Sequence, residues 1–310
     1  MKKKLLIYLI IGYAKFIILQ NFNLLFNSIL FKLYYNYKKN FILNFFSNLN
    51  KKVIIYSSFL RNEQDLSIYQ NNLNEGDIYL YVTEPIKVLY PYSFIIYQNK
   101  NVKKFGSVKN DIENNFCKYP LYLINFNYKN KDIYLQTNNY VKNTNINDKL
   151  FASLINSHDN YNTRKNIYNK LKEINHITCP SKLFNNCSNE ELNKIGKIEY
   201  CKRFIFSLCP ENFIFEGYIT EKLLQACLSG CIPIYAGSFD EIDNKVFNKN
   251  RIIFYDPNDK KSINEAYNKV KFLMDNNKEL VEFYQQDVFL STAFETSLKM
   301  EGNLIEFLNN

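Results

Sequence analysis

Residues 203–235 read RFIFSLCPENFIFEGYITEKLLQACLSGCIPIY. The stretch begins and ends with short, mostly apolar runs, and between them lie a polar loop and the amphipathic segment Thr220–Ser229. Thr220 stands where a side-chain oxygen commonly caps the start of a helix, and Gly230 stands where the end of a helix commonly turns left-handed. The pattern therefore predicts a strand–helix–strand unit, with parallel strands joined by a right-handed crossover.

Strand-like and helix-like segments also alternate on both sides of this unit. Short β-branched and aromatic runs predict strands, and apolar residues recurring on one face predict helices. The predicted strands are Val53–Phe59, Ile78–Thr83, Ser93–Tyr97, Arg203–Leu208, Cys231–Tyr235 and Ile252–Tyr255, and the predicted helices are Asn162–Ile174, Thr220–Ser229 and Ser262–Met274. This alternation is typical of α/β proteins with parallel sheets.

The chain is long enough for two domains, since it has 310 residues and a domain commonly has roughly 150. The segment Asn125–Asn145 is polar and rich in Asn, which predicts a linker or crossover between two halves. We expect an N-terminal domain over residues 1–147, a C-terminal domain over residues 148–295 and a tail over residues 296–310. A ligand is expected in the cleft between the domains, at the carboxyl ends of the strands.

The composition excludes several classes of protein. Apolar residues make up 46% and charged residues 22%, as in a globular chain and unlike a disordered one. With 39 Lys and Arg against 30 Asp and Glu, the net charge of +9 permits an anionic partner. The basic residues are scattered and only Lys2–Lys4 form a run, so no nucleic-acid groove is predicted.

The seven cysteines predict neither a disulfide framework nor a zinc site. Their number is odd, and no two of them form a Cys-x-x-Cys pair. Free Cys is among the residue types most often buried, and disulfides are rare in reducing compartments. We therefore expect buried free thiols in a protein of a reducing compartment.

The N-terminus leaves more than one interpretation open. The apolar run Leu5–Ala14 follows three lysines, as in a signal anchor, but Lys15 interrupts it. The apolar stretch up to Leu19 is also shorter than the ~20 residues needed to cross a bilayer. We expect a buried strand over Leu5–Ile11 and a helix over Phe22–Tyr35 in a cytoplasmic protein. The alternatives are peripheral contact with an anionic membrane and an N-terminal signal anchor.

A candidate phosphate site lies where the loop after Leu208 enters the helix at Thr220. The first turn of a helix presents unpaired backbone N–H groups and the positive end of the helix dipole. Lys222 adds a positive charge there, and Glu221 can accept hydrogen bonds from the hydroxyls of a ribose. The pair suggests a nucleotide, although Glu and Lys are also common in first turns that bind nothing.

The segment ENFIFEGYITEKLLQACLSGCIPIYAGS, residues 211–238, closely resembles the signature of the α-1,3/1,4-fucosyltransferases, glycosyltransferase family 10. A weaker likeness covers Ser157–Arg164, Cys179–Asn186 and, in the N-terminal half, Tyr81–Pro85. The resemblance implies an α/β GT-B architecture, in which two Rossmann-like domains face each other across a cleft. It also implies transfer of L-fucose from GDP-fucose to a hydroxyl of an acceptor oligosaccharide or glycoconjugate, at O3 of N-acetylglucosamine or glucose.

The resemblance assigns donor-binding roles to five residues. Arg164 and Lys222 match the family's diphosphate clamp, in which two cations replace a divalent metal, so no metal and no cofactor are expected. Glu221 matches the carboxylate that binds ribose. Tyr218 and Asn212 match residues near the sugar and the diphosphate.

The resemblance assigns the catalytic base to Glu84. Family members invert the anomeric centre, which requires a base to take the acceptor proton and stabilisation of the departing diphosphate. The loop Phe213–Gly217 departs from the small, polar loop that is usual in the family. Two alternatives therefore stay open: a GT-B transferase with another nucleotide-sugar donor, and a non-catalytic nucleotide- or glycan-binding relic of the same fold.

Overall fold

The computed structural model describes residues 6–8, 17–19, 53–57, 77–109 and 116–309. The chain divides into two compact units, residues 1–124 with 299–310 and residues 125–298. The division therefore lies before the Asn-rich segment, whereas the sequence predicted it after residue 147. The C-terminal segment grouped with the first unit begins at residue 299 rather than 296.

The first unit contains a parallel sheet. Its described strands are β1 (Leu6–Tyr8), β2 (Ile17–Leu19), β3 (Val53–Ser57), β4 (Asp77–Val82), β5 (Lys103–Gly106) and β6 (Phe116–Lys118), and its described helices are α1 (Ile86–Leu89), α2 (Pro91–Gln98) and α3 (Leu121–Ile124). Strands β3, β4, β5 and β6 are adjacent in that order and all parallel, whereas β1 and β2 form a separate antiparallel pair.

The predicted strand Ser93–Tyr97 is wrong, because these residues lie in α2. Pro91 occupies the first position of this helix, where its missing N–H costs nothing. The buried residues of α2 are Ser93, Ile96 and Tyr97, a spacing that places them on one face of a helix. A short apolar run is compatible with either structure, and here Pro91 and the burial on one side favour the helix.

The second unit contains a larger parallel sheet. Its strands are β7 (Leu150–Leu154), β8 (Ile177–Thr178), β9 (Phe204–Leu208), β10 (Ile232–Tyr235) and β11 (Ile253–Phe254), and its helices are α4 (Lys131–Asn143), α5 (Lys165–Leu171), α6 (Glu190–Ile195), α7 (Lys197–Cys201), α8 (Glu221–Leu228), α9 (Lys260–Asp275), α10 (Asn277–Tyr284) and α11 (Ala293–Asn309), of which the part after residue 298 belongs to the first unit. The predicted strand–helix–strand unit is confirmed as β9–α8–β10, with parallel pairing of β9 and β10.

Both ends of α8 form as the sequence predicted. The Thr220 hydroxyl accepts a hydrogen bond from the backbone N–H of Lys222 over 3.4 Å, and Gly230 has a φ of 73°. A Cβ on Gly230 would also lie 2.6 Å from a ring carbon of Tyr140. Glycine is therefore required here both by the backbone angle and by the neighbouring ring.

The Asn-rich segment is a helix of the second unit and not a linker. Within α4, the Asn138 side chain accepts from the backbone N–H groups of Val288 and Phe289 over 2.8 and 3.0 Å. The Tyr134 ring packs edge-on against the Phe289 ring, with 5.2 Å between centroids. These contacts explain why the boundary lies at residue 124, since α4 packs against other residues of the second unit.

The order of the second sheet locates a ligand crevice. The strands lie in the order β8-β7-β9-β10-β11, so the chain starts in the middle, goes to one edge, and then proceeds to the other. The switch in direction lies between β7 and β9. In open parallel sheets a ligand binds beyond the carboxyl ends of the strands at such a switch point.

The N-terminal predictions are tested only in part. Strand β1 lies within the predicted strand Leu5–Ile11 and pairs with β2, while the predicted helix Phe22–Tyr35 lies outside the described residues. Among the helices that the structure describes, none combines the length and the apolar character needed to span a bilayer.

Candidate functional site

Arg164 lies beyond the carboxyl end of β7, at the start of α5, and its side chain is 1% exposed. Its guanidinium Nη2 donates to Asn212 Oδ1 over 2.8 Å and to the carbonyl of Pro210 over 3.2 Å. Nη1 lies 3.5 Å from Asp159 Oδ1, and the buried Nε has no hydrogen-bond partner in the described part of the chain. Arg164 is thus fixed by the loop after β9 and retains an unused donor.

Lys222 lies in the first turn of α8, beyond the carboxyl end of β9. Its ammonium Nζ donates to Glu211 Oε2 over 3.2 Å and to Thr220 Oγ1 over 3.0 Å, and its side chain is 12% exposed. Both cations therefore contact the same short segment, Pro210–Asn212, which connects β9 to the loop. Neither side chain extends into bulk water.

The segment that holds the two cations is itself fixed by the sheet. The backbone N–H of Cys209 donates to the carbonyl of Ile234 over 3.1 Å, and that of Glu211 donates to the carbonyl of Ala236 over 3.0 Å. The pairing of β9 with β10 thus continues past the end of both strands. A site built on such backbone is more rigid than one on a free loop.

Glu211 is a site residue that the sequence prediction missed. Its carboxylate is fully buried and accepts from the Thr220 N–H and hydroxyl over 2.8 and 2.7 Å, from Lys222 Nζ and from the Tyr235 hydroxyl over 3.2 Å. Burial, followed by the charge of Glu211, raises the pKa of Tyr235 well above its usual range. The signal in the sequence was a carboxylate three residues after a strand whose residues are all buried, since such a group needs buried donors.

Glu221 and Tyr218 occupy different environments. The Glu221 side chain is 36% exposed and lies 3.7 Å from Lys222 Nζ, so it has a face that can accept further hydrogen bonds. Tyr218 is fully buried at the end of the loop before α8. The structure therefore brings Arg164, Asn212, Lys222 and Glu221 to one edge of the sheet, and it buries Tyr218.

Glu84 lies in the first unit, two residues beyond the end of β4. It is half-buried, and Thr83 and Pro85 on either side of it are buried. The predicted position at the end of a strand is confirmed, and its role as a base stays a prediction. The other five predicted site residues all belong to the second unit.

The loop Phe213–Gly217, which departs from the family pattern, carries apolar side chains at the same edge. The Phe213 ring packs edge-on against Tyr161, with 5.0 Å between centroids. Tyr161 is 43% exposed and Ile214 is 36% exposed. We call the Tyr161–Phe213 pair and the neighbouring exposed residue Ile214 the apolar patch, which is close in sequence to Arg164 and Asn212.

The arrangement suits a ligand that carries both phosphates and hydroxyls. Cations and the first turn of α8 can bind phosphate oxygens, and a partly exposed carboxylate can accept from vicinal hydroxyls. Among the described side chains, no three His, Cys, Asp or Glu residues converge as metal ligands would.

Residues 144–301 match the family model of glycosyltransferase family 10 (fucosyltransferase), C-terminal part. The chain is 34% identical over 123 residues to the α-(1,3)-fucosyltransferase FucT of Helicobacter pylori, covering 40% of this chain and 24% of that protein. It is 33% identical over 103 residues to 4-galactosyl-N-acetylglucosaminide 3-α-L-fucosyltransferase 9 of Cricetulus griseus, covering 33% and 28%. The matched region thus spans about a quarter of the length of these relatives.

Solved structures extend the similarity to the fold of both units. A crystal structure of an α1,3-fucosyltransferase with GDP-fucose matches with a TM-score of 0.57 at 19% identity, covering 83% of this chain and 78% of that one. A structure of an α1,3-fucosyltransferase with GDP matches with a TM-score of 0.57 at 18% identity, covering 92% and 90%. The predicted fold class, α/β of the GT-B type, is confirmed.

Proposed function

Since the chain belongs to glycosyltransferase family 10, the fucosyltransferases, we propose that it transfers L-fucose from GDP-fucose to a hydroxyl of an acceptor glycan. The acceptor atom in this proposal is O3 of N-acetylglucosamine or glucose. The proposal extends to the whole chain what the matched region shares with its relatives, two of which are named as α-1,3-fucosyltransferases.

The proposal rests on one observation: two cations at the switch point contact the same short segment, Pro210–Asn212. Arg164 contacts Pro210 and Asn212, and Lys222 contacts the residue between them, Glu211. Breaking the bond between a sugar and a diphosphate leaves negative charge on the departing phosphate, and positioned cations lower the barrier by stabilising it. We assign Arg164, Lys222 and Asn212 to the diphosphate and Glu221 to the ribose hydroxyls.

The chemical step in this proposal is a direct displacement. The acceptor oxygen forms a bond to C1 of fucose while the bond between C1 and the phosphate oxygen breaks, and its electron pair stays on GDP. The acceptor oxygen attacks from the face opposite the leaving phosphate, which inverts the anomeric centre, and Glu84 accepts the proton of the acceptor hydroxyl. No metal ion is needed if Arg164 and Lys222 neutralise the leaving group, and Tyr218 is assigned to the donor sugar.

A different donor sugar is the second candidate, and the apolar patch of Tyr161, Phe213 and Ile214 favours it. These side chains offer a surface for C–H groups of a sugar where the family usually has a small, polar loop. The two candidates share the nucleotide and differ only in the hexose.

The test begins with ligand-induced stabilisation, because a ligand that binds only the folded state raises its free energy of unfolding. GDP is expected to raise the melting temperature and UDP is not, and GDP-fucose is expected to raise it further than GDP-mannose. The purified chain is then incubated with GDP-fucose and an array of glycans, and the linkage of each product is read by NMR. Nucleotide binding without any transfer would instead identify a relic, and transfer of another sugar would identify the second candidate.

Cytoplasmic location and peripheral contact of the N-terminus with a membrane remain part of this proposal. The cytoplasmic location rests on the free thiols, and the membrane contact rests on Lys2–Lys4. Sedimentation of the full chain with vesicles containing anionic lipids tests the membrane contact. Loss of that sedimentation at high salt is the expected result, since surface charges are screened.

A further inference from the structure

The cations assigned to the diphosphate are already paired with carboxylates. Arg164 Nη1 lies 3.5 Å from Asp159, and Lys222 Nζ lies 3.2 Å from Glu211 and 3.7 Å from Glu221. These five groups carry two positive and three negative charges. Because the net charge of these five groups is negative, a further cation at this edge would strengthen the binding of a diphosphate.

Lys197 supplies a positive charge that has no carboxylate in ion-pair contact among the described residues. It is the first residue of α7, and within the described residues its ammonium has no carboxylate within 4 Å. Its side chain makes a single hydrogen bond there, from Nζ to the carbonyl of Ile155 over 3.5 Å, at the outer limit for such a bond. An ammonium has three donors and no acceptor, so at least two of its donors remain for another group.

Three observations place this ammonium at the switch point. Ile155, which accepts its hydrogen bond, directly follows β7. Helix α7 packs against α8, whose first turn contains Glu221 and Lys222. Burial lowers the pKa of Lys197. The charge of Glu221 raises this pKa and that of Lys222 lowers it, so both residues lie within electrostatic range of the ammonium.

We propose that Lys197 is a third cation of the donor site and binds an anionic oxygen of the donor's diphosphate. This inference rests on the proposed function, because it takes the ligand to be a nucleoside diphosphate sugar. A partly buried cation with one long hydrogen bond is costly to the folded protein. A phosphate oxygen offers the acceptor and the negative charge that such a cation lacks.

The test compares three probes, GDP, guanosine and inorganic pyrophosphate, by calorimetric titration of the full chain. Lys197→Met removes the charge at similar side-chain length, and Lys197→Arg retains it. Lys194→Met is the matched control, since Lys194 is exposed on α6. We expect Lys197→Met to weaken GDP and pyrophosphate about 10- to 100-fold, as a lost charged hydrogen bond does, while guanosine binding and the control stay unchanged. Lys197→Arg should lose much less affinity than Lys197→Met.

The outcomes separate this inference from the proposed function. If wild type binds GDP and Lys197→Met binds GDP and pyrophosphate equally well, the inference is wrong and the proposed function stands. If guanosine is weakened as much as GDP, Lys197 contacts the nucleoside and the assignment to the diphosphate is wrong. If wild type binds pyrophosphate through Lys197 but does not bind GDP, the proposed function is wrong and the anion site stands. If it binds neither, both are wrong.

If Lys197→Met fails to fold, a measurement on the wild-type protein tests the same inference. The chain is acylated with acetic anhydride with and without pyrophosphate, and labelled lysines are identified by peptide mass spectrometry. Pyrophosphate is expected to protect Lys197 and to leave Lys194 labelled as before. Equal labelling of Lys197 in both samples would contradict the inference.

Discussion

Arg164 and Asn212 are joined by a hydrogen bond of 2.8 Å between guanidinium Nη2 and the amide oxygen, although 48 positions separate them in the chain. Arg164 follows β7 and Asn212 follows β9, the two strands that flank the switch point of the second sheet. The bond therefore fixes a cation from one side of the crevice onto the loop of the other. This makes Asn212 a positioning residue for Arg164 as well as a candidate ligand contact.

The first prediction concerns this bond. Asn212→Ala removes the acceptor and leaves the guanidinium with the Pro210 carbonyl and Asp159. We expect GDP to bind at least about tenfold more weakly, since hydrogen bonds to charged groups contribute about 1.5–3 kcal/mol. Calorimetric titration measures the change, and Asn139→Ala, at an exposed position of α4, is the control. Unchanged GDP affinity in Asn212→Ala would show that the bond does not serve the site.

The second prediction concerns Glu211, whose buried carboxylate accepts from Thr220, Lys222 and Tyr235. Glu211→Gln replaces one acceptor oxygen by an NH₂ group and leaves the Lys222 ammonium without its buried counter-charge. Breaking a buried ion pair typically costs about 3–5 kcal/mol, and we expect a loss of this order in the free energy of unfolding. Urea denaturation measures it.

The control for Glu211→Gln is Glu199→Gln. Glu199 pairs with Lys202 over 2.7 Å, but both side chains are well exposed. Such a pair contributes about 1 kcal/mol or less, so the control should change the free energy of unfolding by no more than that. A loss in Glu211→Gln as small as in the control would mean that water already screens the Glu211–Lys222 pair.

The sequence predicted those parts of the fold that depend on local pattern. The unit β9–α8–β10 has its cap at Thr220, its left-handed glycine at Gly230 and its apolar strands in consecutive residues, so each element is specified by its own segment. The short strands β7 and β8 were not predicted, because they form through pairing with neighbours that are distant in sequence.

The sequence predicted which residues form the site better than it predicted the contacts between them. Arg164, Asn212, Glu221 and Lys222 were found from a motif, and the structure brings them to one edge. The role of Glu211 and the position of Lys197 depend on the contacts of β7 and β9 with α7 and α8. No local pattern in the sequence contains those contacts, which is why the structure was needed to identify them.

The third prediction concerns the pH dependence of stability. Burial lowers the pKa of Lys197 below its ordinary value of 10.5, so the folded state disfavours the ammonium. This cost is fully present below the lowered pKa, and it disappears as the pH rises through that pKa to 10.5, because the unfolded chain then binds more protons than the folded one. We therefore expect Lys197→Met to be more stable than wild type at pH 7.

Urea denaturation at several pH values between 7 and 11 measures this difference in the free energy of unfolding. The stabilisation by Lys197→Met is expected to shrink as the pH rises, whereas exposed Lys194→Met should show no such trend. A variant less stable than wild type at pH 7, with a difference independent of pH, would identify Lys197 as a structural lysine rather than a strained cation.

The fourth prediction concerns the thiols. All seven cysteines are free, six are buried and Cys187 is partly exposed. Burial raises the pKa of Cys117 to about 11 and that of Cys179, Cys227 and Cys231 to about 12. Because the thiolate is the reactive form, iodoacetamide at pH 8 should label Cys187 alone in the folded protein and all seven thiols in urea. Mass spectrometry of the intact chain counts the labels, and several labels without urea would contradict the burial.

The last prediction concerns Glu84, the proposed base at the end of β4. Glu84→Gln keeps the size of the side chain and removes its ability to accept a proton, so the donor should bind as before while turnover falls. General-base catalysis contributes about 10²–10⁴-fold, and we expect kcat to fall within that range. The comparison variant is Glu306→Gln, on the exposed face of α11 within the same unit. Measurement requires an acceptor identified on the glycan array, with GDP affinity determined in parallel. Since a base acts on the acceptor proton alone, an equal loss of GDP affinity in Glu84→Gln would assign Glu84 to donor binding, and a near-normal kcat would leave the proton to another group.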